Sequence, residues 1–336
     1  MKISISREKF LDALQKVASI IGSRSTLPVL ANVLIEASKD KVTLTTTDLE
    51  IRITTEIEAK VEEVGKTTLP AKKLLSVVRE LPGEDLDLKS DDNHHIAIQC
   101  GKSLFKLLGL APDDFPQPVS ITPVRSIKLP QTEIGRIFGQ ISYAVSIDDS
   151  RKVLNGILLS FKENAFTAVA TDGKRLALVE KVMEKYEGEE GDSIIPSRSA
   201  NEVVRLLQKE GEVNIDIGEN QASFKIGSTM MTTKLVEGNY PNYKQVIPTS
   251  FSKKVEIPTS VFASALRRVS LVVSESSSFV KMTFNKTSLV LFASSSEFGE
   301  SKESIDIEYG GAELNISFNP VFLSDPFKNL DADKVT

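Results

Sequence analysis

Thiols and imidazoles are nearly absent from this chain: its 336 residues include one cysteine and two histidines. A single thiol excludes an internal disulfide framework and fits a reducing, cytosolic setting. Cys100 closes the run 96–100, where a small buried apolar side chain is a commoner role than a reactive thiol. His94 and His95 are adjacent, and on the strand edge expected there they would point to opposite faces, which argues against a shared metal. No run of about eighteen apolar residues occurs, so no membrane-spanning helix is expected. Residues 1–5 read as a strand and not as a signal peptide. There is no Gly-rich phosphate loop, no Cys or His cluster and no Gly-x-Ser-x-Gly turn. The acidic residues Asp148, Asp149 and Asp172 leave one catalytic reading open, a metal-dependent phosphohydrolase. Exposed carboxylates on turns, with no histidine beside them, are the commoner explanation. Thr171-Asp172-Gly173 itself suits a hairpin turn.

What the chain has instead is repetition. Pro70, Pro196 and Pro320 lie 126 and 124 residues apart, Thr47-Asp48 and Thr171-Asp172 lie 124 apart, and Phe115-Pro116 and Tyr240-Pro241 lie 125 apart. Repeats of this length are domains, not the small units of a solenoid, and 336 residues exceed what one core usually serves. Helical stripes recur in each unit: Phe10, Leu14, Val17 and Ile21; Ile134, Ile137, Ile141 and Val145; Phe262, Leu266, Val269 and Val273. A second helix is expected over 71–81, 200–207 and 321–330. Strands are expected over 29–36, 41–47 and 50–60, over 153–161, 165–170 and 175–182, and over 280–284, 288–293 and 304–309. The fold class is therefore α+β, three repeated domains of two helices and about eight strands each. The divisions are 1–120, 127–247 and 254–336, with short Pro- or Ser-containing joins. By this count the third unit stops about thirty residues early, and the expectation is a chain cut short with an incomplete third domain.

The net charge of −5 argues at first sight against nucleic acid, but the six expected helices carry +7, leaving −12 for everything else. Such segregation of sign is an electrostatic footprint that the total conceals.

The three-fold α+β repeat, with residues 24–30 (Arg-Ser-Thr-Leu-Pro-Val-Leu), 154–156 (Leu-Asn-Gly), 170–176 (Ala-Thr-Asp-Gly-Lys-Arg-Leu) and 234–243 (Lys-Leu-Val-Glu-Gly-Asn-Tyr-Pro-Asn-Tyr), resembles the β subunit of bacterial DNA polymerase III, the sliding clamp. The resemblance spans the whole chain. It implies a cytoplasmic, non-catalytic processivity factor without cofactor or metal: a head-to-tail homodimer closed into a ring around duplex DNA, with basic helices inside. Arg24, Lys72, Lys73, Arg79, Arg198 and Arg205 are the implied DNA contacts. Phosphate-directed contacts of this kind carry no sequence information and permit sliding. Asp148 stands where the family can show Gln, which argues against DNA contact by that loop. The resemblance also implies a pocket that captures short peptides of the clamp loader, polymerase subunits and repair proteins. Leu154, Thr171, Gly173, Lys174, Arg175, Leu176, Pro241, Gln245 and Val246 match positions that build it. The C-terminal Met-Pro-Met-Arg-like run that closes this pocket in the family has no counterpart, which implies a pocket open on one side. Phe105, Leu271 and Val272 match the ring joint. A scaffold of the same fold that does not encircle DNA is the alternative.

Overall fold

A computed structural model describes residues 1–22, 27–183, 186–274 and 278–336. The first unit contains β1 (Lys2–Ser6), α1 (Arg7–Ala18), β2 (Asn32–Ser38), β3 (Lys41–Thr47), β4 (Ile51–Glu58), β5 (Lys60–Glu63), β6 (Gly65–Pro70), α2 (Ala71–Glu80), β7 (Asp85–Ser90), β8 (Ile96–Cys100) and β9 (Ser103–Leu107). The second contains β10 (Arg125–Pro130), α3 (Gln131–Ile141), β11 (Gly156–Lys162), β12 (Ala165–Thr171), β13 (Leu176–Val182), β14 (Glu187–Gly188), β15 (Gly191–Pro196), α4 (Ser197–Leu206), β16 (Glu212–Ile217), β17 (Gln221–Ile226) and β18 (Thr229–Lys234). The third contains β19 (Ile257–Pro258), α5 (Thr259–Val269), β20 (Val280–Phe284), β21 (Ser288–Ser295), β22 (Gly299–Asp306), β23 (Leu314–Phe318), α6 (Pro320–Phe327) and β24 (Lys334–Val335).

Proline marks the strand-to-helix corners. Pro70, Pro130, Pro196 and Pro258 are N-caps of α2, α3, α4 and α5, and Pro320 opens α6. The ring fixes φ for the corner, and the missing N–H is one that no helix start could use. The first helix of each unit then buries its apolar stripe: Phe10, Leu14 and Val17 on α1, Ile134, Ile137 and Ile141 on α3, Phe262, Leu266 and Val269 on α5.

Five sheets result. A five-stranded sheet runs β5-β1-β7-β8-β9, and a nine-stranded sheet runs β14-β10-β16-β17-β18-β4-β3-β2-β6. The nine-stranded sheet crosses from the second unit to the first through antiparallel β18 and β4, where Thr229 faces Thr55 and Thr233 faces Ile51. Their seam includes a 2.9 Å hydroxyl contact between Thr55 and Thr229. One apolar core accordingly continues under both units, while the third has its own around Phe262, Leu266, Val280, Leu289 and Leu291. The remaining sheets run β13-β12-β11-β15, β22-β21-β20-β23 and β19-β24.

Several boundaries differ from expectation for local reasons. The first helix ends at Ala18, although Ile21 is still buried, because side chains of other elements take its last carbonyls: Thr46 caps Val17 O and Arg205 caps Lys16 O. The stretch 29–36 opens with a 3-10 turn at Pro28–Ala31 before β2 begins. The stretch 50–60 breaks after Glu58, where Ala59 N donates to Asp40 O. β22 begins at Gly299, five residues before the expected 304, because its polar residues give no apolar alternation to read. His94 and His95 lie in a turn, not on a strand edge. Asp91 Oδ1 accepts from Asn93 N and His95 N at 2.9 Å, and His94 sits at φ +62°.

Candidate functional site

The turn between β12 and β13 is built by its own side chains. Thr171 Oγ1 donates to Arg175 O at 2.6 Å and accepts from Gly173 N at 3.1 Å. Asp172 Oδ1 accepts from Lys174 N at 2.9 Å and from Arg175 N at 3.0 Å. Gly173 takes φ +84°, a value that favours glycine. The turn presents the Arg175 guanidinium, which meets Asp172 at 3.1 Å, donates to Tyr143 O at 2.6 Å, and pairs with Asp325 of α6 at 2.7 Å. The Phe322 ring of α6 lies 4.7 Å from it. Burial disfavours ionisation of Asp325, but hydrogen bonds from Lys328 and Arg175 outweigh that cost and hold its carboxyl below the ordinary value. Arg175 thus joins the third unit to the second, and Lys174 also lies 5.9 Å from the Phe322 ring.

Beside this turn lies an apolar floor of Leu158, Val169 and Ile194, with Val153, Leu176, Tyr240 and Tyr243 packed on it. Tyr240 Oη accepts from Thr171 N at 3.1 Å, and burial pushes its phenol up to about 12. Leu154 is buried at 7% exposure, whereas Val246 is 68% exposed on the 3-10 turn Tyr243–Val246. Pro241 and Gln245 are exposed on the same loop. Of the sequence candidates for the pocket, Thr171, Gly173, Lys174, Arg175 and Leu176 therefore share one turn. The Tyr240 hydrogen bond ties the loop of Pro241 to it, and Leu154 is buried next to Val153 in sequence but is not itself among the side chains of that floor. Tyr143, Phe322 and Asp325 were missed as members of this site; no local spacing marks a contact made across the joint.

The first unit holds the same turn at its joint with the second. Thr47 Oγ1 donates to Ile51 O at 2.9 Å and accepts from Leu49 N at 3.1 Å, and Asp48 Oδ1 accepts from Glu50 N at 3.0 Å and Ile51 N at 2.7 Å. Leu49 even adopts φ +76°, an uncommon region for a residue with a Cβ. Arg198 of α4 reaches this turn and pairs with Asp48 at 2.6 Å. Two residues past the repeated proline, Arg198 thus stands where Phe322 stands at the other joint.

The basic candidates divide into two groups. Arg205 donates to Gln15 O, Lys16 O and Ser19 Oγ and pairs with Glu202 at 2.8 Å, and Arg198 donates to Ile20 O at 3.0 Å. These two close the C-terminal end of α1, where carbonyls need donors, and Lys72 contributes there through Gly22 O at 3.3 Å. Lys73 and Arg79 are exposed on α2 and have no hydrogen bond or ion pair among the described residues. Arg24 lies outside the described residues.

Two sheet edges carry the joint candidates. β9 is the outer strand of its sheet, with Phe105 40% and Leu104 56% exposed. β22 is the outer strand of the third unit's sheet, and the 3-10 turn Ser270–Val272 packs against it with Leu271 77% exposed. Val272, by contrast, is half-buried against the third core. The acids weighed for catalysis serve their own loops: Asp148 accepts from Ser150 Oγ at 2.7 Å and Ser150 N at 3.0 Å, which lowers its pKa, and Asp172 holds the turn described above.

Three units of this kind, two of them sharing a continuous sheet, define the class as a three-domain DNA clamp fold. Residues 1–119, 128–242 and 244–336 match the N-terminal, central and C-terminal domain models of the DNA polymerase III beta subunit, and the chain belongs to that family. It is 32% identical to the beta sliding clamp of Chlamydia muridarum over 329 residues, 98% of this chain and 90% of that one. With the beta sliding clamp of Caulobacter vibrioides the identity is 34% over 334 residues, 97% of this chain and 89% of the relative. The solved DNA polymerase III subunit beta of Pseudomonas aeruginosa superposes with a TM-score of 0.95 at 30% identity, covering 99% of this chain and 92% of that one. The sliding clamp of Bacillus subtilis gives 0.96 at 29%, covering 99% and 91%. The expectation of a chain cut short finds no support here, because matching is nearly complete and the third model is matched by residues 244–336. The function is that of a DNA sliding clamp, a non-catalytic processivity factor of DNA replication, which replaces the phosphohydrolase reading.

Proposed function

We propose that two copies of this chain join head to tail into a cytoplasmic ring around duplex DNA, each copy contributing domains 1–120, 127–247 and 254–336. The observation that carries this reading is that, among the described residues, β9 in the first domain and β22 in the third are outer strands of their sheets, each beside exposed apolar side chains. Edge strands invite pairing, and a heterologous contact repeated once closes a two-membered ring when its angle is right. Lys73 and Arg79, unpartnered among the described residues, are the first phosphate contacts; Lys72 of α2 and Arg198 and Arg205 of α4 contribute from beside the end of α1, and Arg24 joins them. Leu154, the turn 171–176, Pro241, Gln245 and Val246 capture an apolar peptide anchor from the clamp loader, polymerase subunits or repair proteins. A relative from Pseudomonas aeruginosa binds griselimycin.

A topological ring is tested by retention. Loaded by its clamp loader onto nicked circular plasmid, the protein should survive a 0.5 M salt wash (about, a concentration at which phosphate contacts are largely screened) and leave once the plasmid is linearised. Equal loss from circular and linear DNA would instead favour the scaffold that does not encircle DNA.

A further inference from the structure

The turn repeated at the first joint opens on a cleft of its own. Strands β2, β3, β4 and β18 form its floor, and the segment from Pro112 to Val119 forms a wall, enclosing about 450 Å³. The floor is rich in hydroxyls, among them Thr43, Thr54 and Thr232, with Leu49 and Met230 as apolar patches. The repeat places Arg52 here where the second joint has Leu176. Arg52 makes one hydrogen bond, to Pro116 O, and its face lies 5.8 Å from the Phe115 ring. No carboxylate pairs with it among the described residues, and four of its five N–H donors have no protein acceptor there. Burial lowers its pKa against a weaker opposing pull from Glu36, as expected of a cation short of counter-charge. The other cations of the cleft are already engaged: Lys66 with Asp113 at 3.6 Å and Lys234 with Glu50 at 3.1 Å.

We propose that this cleft is a second peptide-binding site, taking an extended segment of another protein that sets one carboxylate on Arg52. Charge complementarity selects the occupant: a single acid satisfies Arg52, the one cation of the lining without an acidic partner among the described residues, whereas Glu36 disfavours a run of acids. The Leu-to-Arg exchange thus converts an apolar anchor pocket into one that reads an acidic residue between apolar neighbours. Only the ligand class, an extended peptide, rests on the reading of the second joint; the cleft and its arginine do not.

Met230 lines the cleft and Met282 belongs to the third core, so methyl NMR of the full chain with labelled methionines separates the two regions. The probe is a blocked hexapeptide, acetyl-Ala-Pro-Leu-Asp-Leu-Pro-amide, with an Asn-for-Asp twin. A saturable shift of Met230 without one at Met282 is expected, with binding roughly tenfold weaker for the Asn twin and for Arg52→Met, since a charge-assisted bidentate contact is lost. Val246→Asp, at the other joint, should leave the Met230 titration unchanged. No saturable shift at Met230, equal titrations by the two peptides, or loss of the shift in Val246→Asp would each overturn the proposal. The twin peptides keep the test valid even if Arg52→Met folds poorly. A Met230 shift that persists while Val246→Asp has no effect on peptides from clamp partners would sink only the reading of the second joint.

Discussion

Arg175→Ala is expected to loosen the third domain from the second and to weaken capture of a partner peptide at least tenfold. The side chain is the one group that gathers Asp172, Asp325, the carbonyl of Tyr143 and the Phe322 ring. Its removal leaves Asp325, whose side chain is 14% exposed, with Lys328 alone, and leaves Tyr143 O without its donor. Breaking a fully buried pair costs about 3–5 kcal/mol. Here both partners retain some solvent access, so roughly 1–3 kcal/mol is the expectation after screening. Arg175→Lys should recover little, because one ammonium cannot replace a planar fork that serves several acceptors while stacking on rings. The contact should be insensitive to pH near neutrality. Asp325 has a folded pKa below its reference of 3.8, so its contribution is complete above that value and is lost as pH falls through the folded one. Differential scanning calorimetry, cleavage of the segment 247–253 by a dilute protease and peptide titration calorimetry measure the three consequences. Wild-type melting, cleavage and affinity in the alanine variant would show that the joint is held by other contacts.

Much of this was legible because a repeated domain repeats its local chemistry. The prolines at 70, 196 and 320 mark helix starts because a ring without an N–H fits where no intrahelical bond is needed. The Thr-Asp pairs at 47 and 171 mark turns because both side chains fold back on backbone donors, with the same four partners in each copy. The apolar stripes are buried within α1, α3 and α5 as their spacing requires, whereas Val145 and Val273 fall past the helix ends and are half-buried. What escaped is non-local. Nothing in residues 51–58 announces that they pair with 229–234, since β-pairing leaves no trace in either strand alone. Arg205 reads as a free cation on a basic helix, yet it is held by three acceptors of α1 and the turn after it, nearly 190 residues away. Phe322 and Asp325 reach the turn 171–176 from a helix of the third unit, a contact that no local spacing marks. Helix charge alone therefore overstates how many cations are free for phosphate.

Leu271→Asp is expected to raise the dimer dissociation constant roughly thirty- to a thousandfold and to abolish retention on circular DNA. Leu271 stands beside the outer strand β22, and its 77% exposure in one chain means that its own domain derives little stability from it. The variant should therefore fold and melt like the wild type, unlike Val272→Asp, which would place a charge against the third core. In the proposed ring the edge facing it is β9, where Phe105 is 40% and Leu104 56% exposed. A carboxylate set against them would be desolvated without a partner, and apolar anchors near the centre of an interface each contribute about 2–4 kcal/mol. That range corresponds to roughly thirty- to a thousandfold in affinity. Phe105→Ala should weaken the same contact from the other side. The pair should be less than additive, since either change empties the same seam. Val64→Asp, at a position 67% exposed between β5 and β6, serves as the charge control. Sedimentation velocity across a dilution series reads the constant directly. An unchanged constant for Leu271→Asp would place the joint elsewhere on the chain. Monomers that still remain on circular DNA after a salt wash would show that holding depends on phosphate contacts instead of closure.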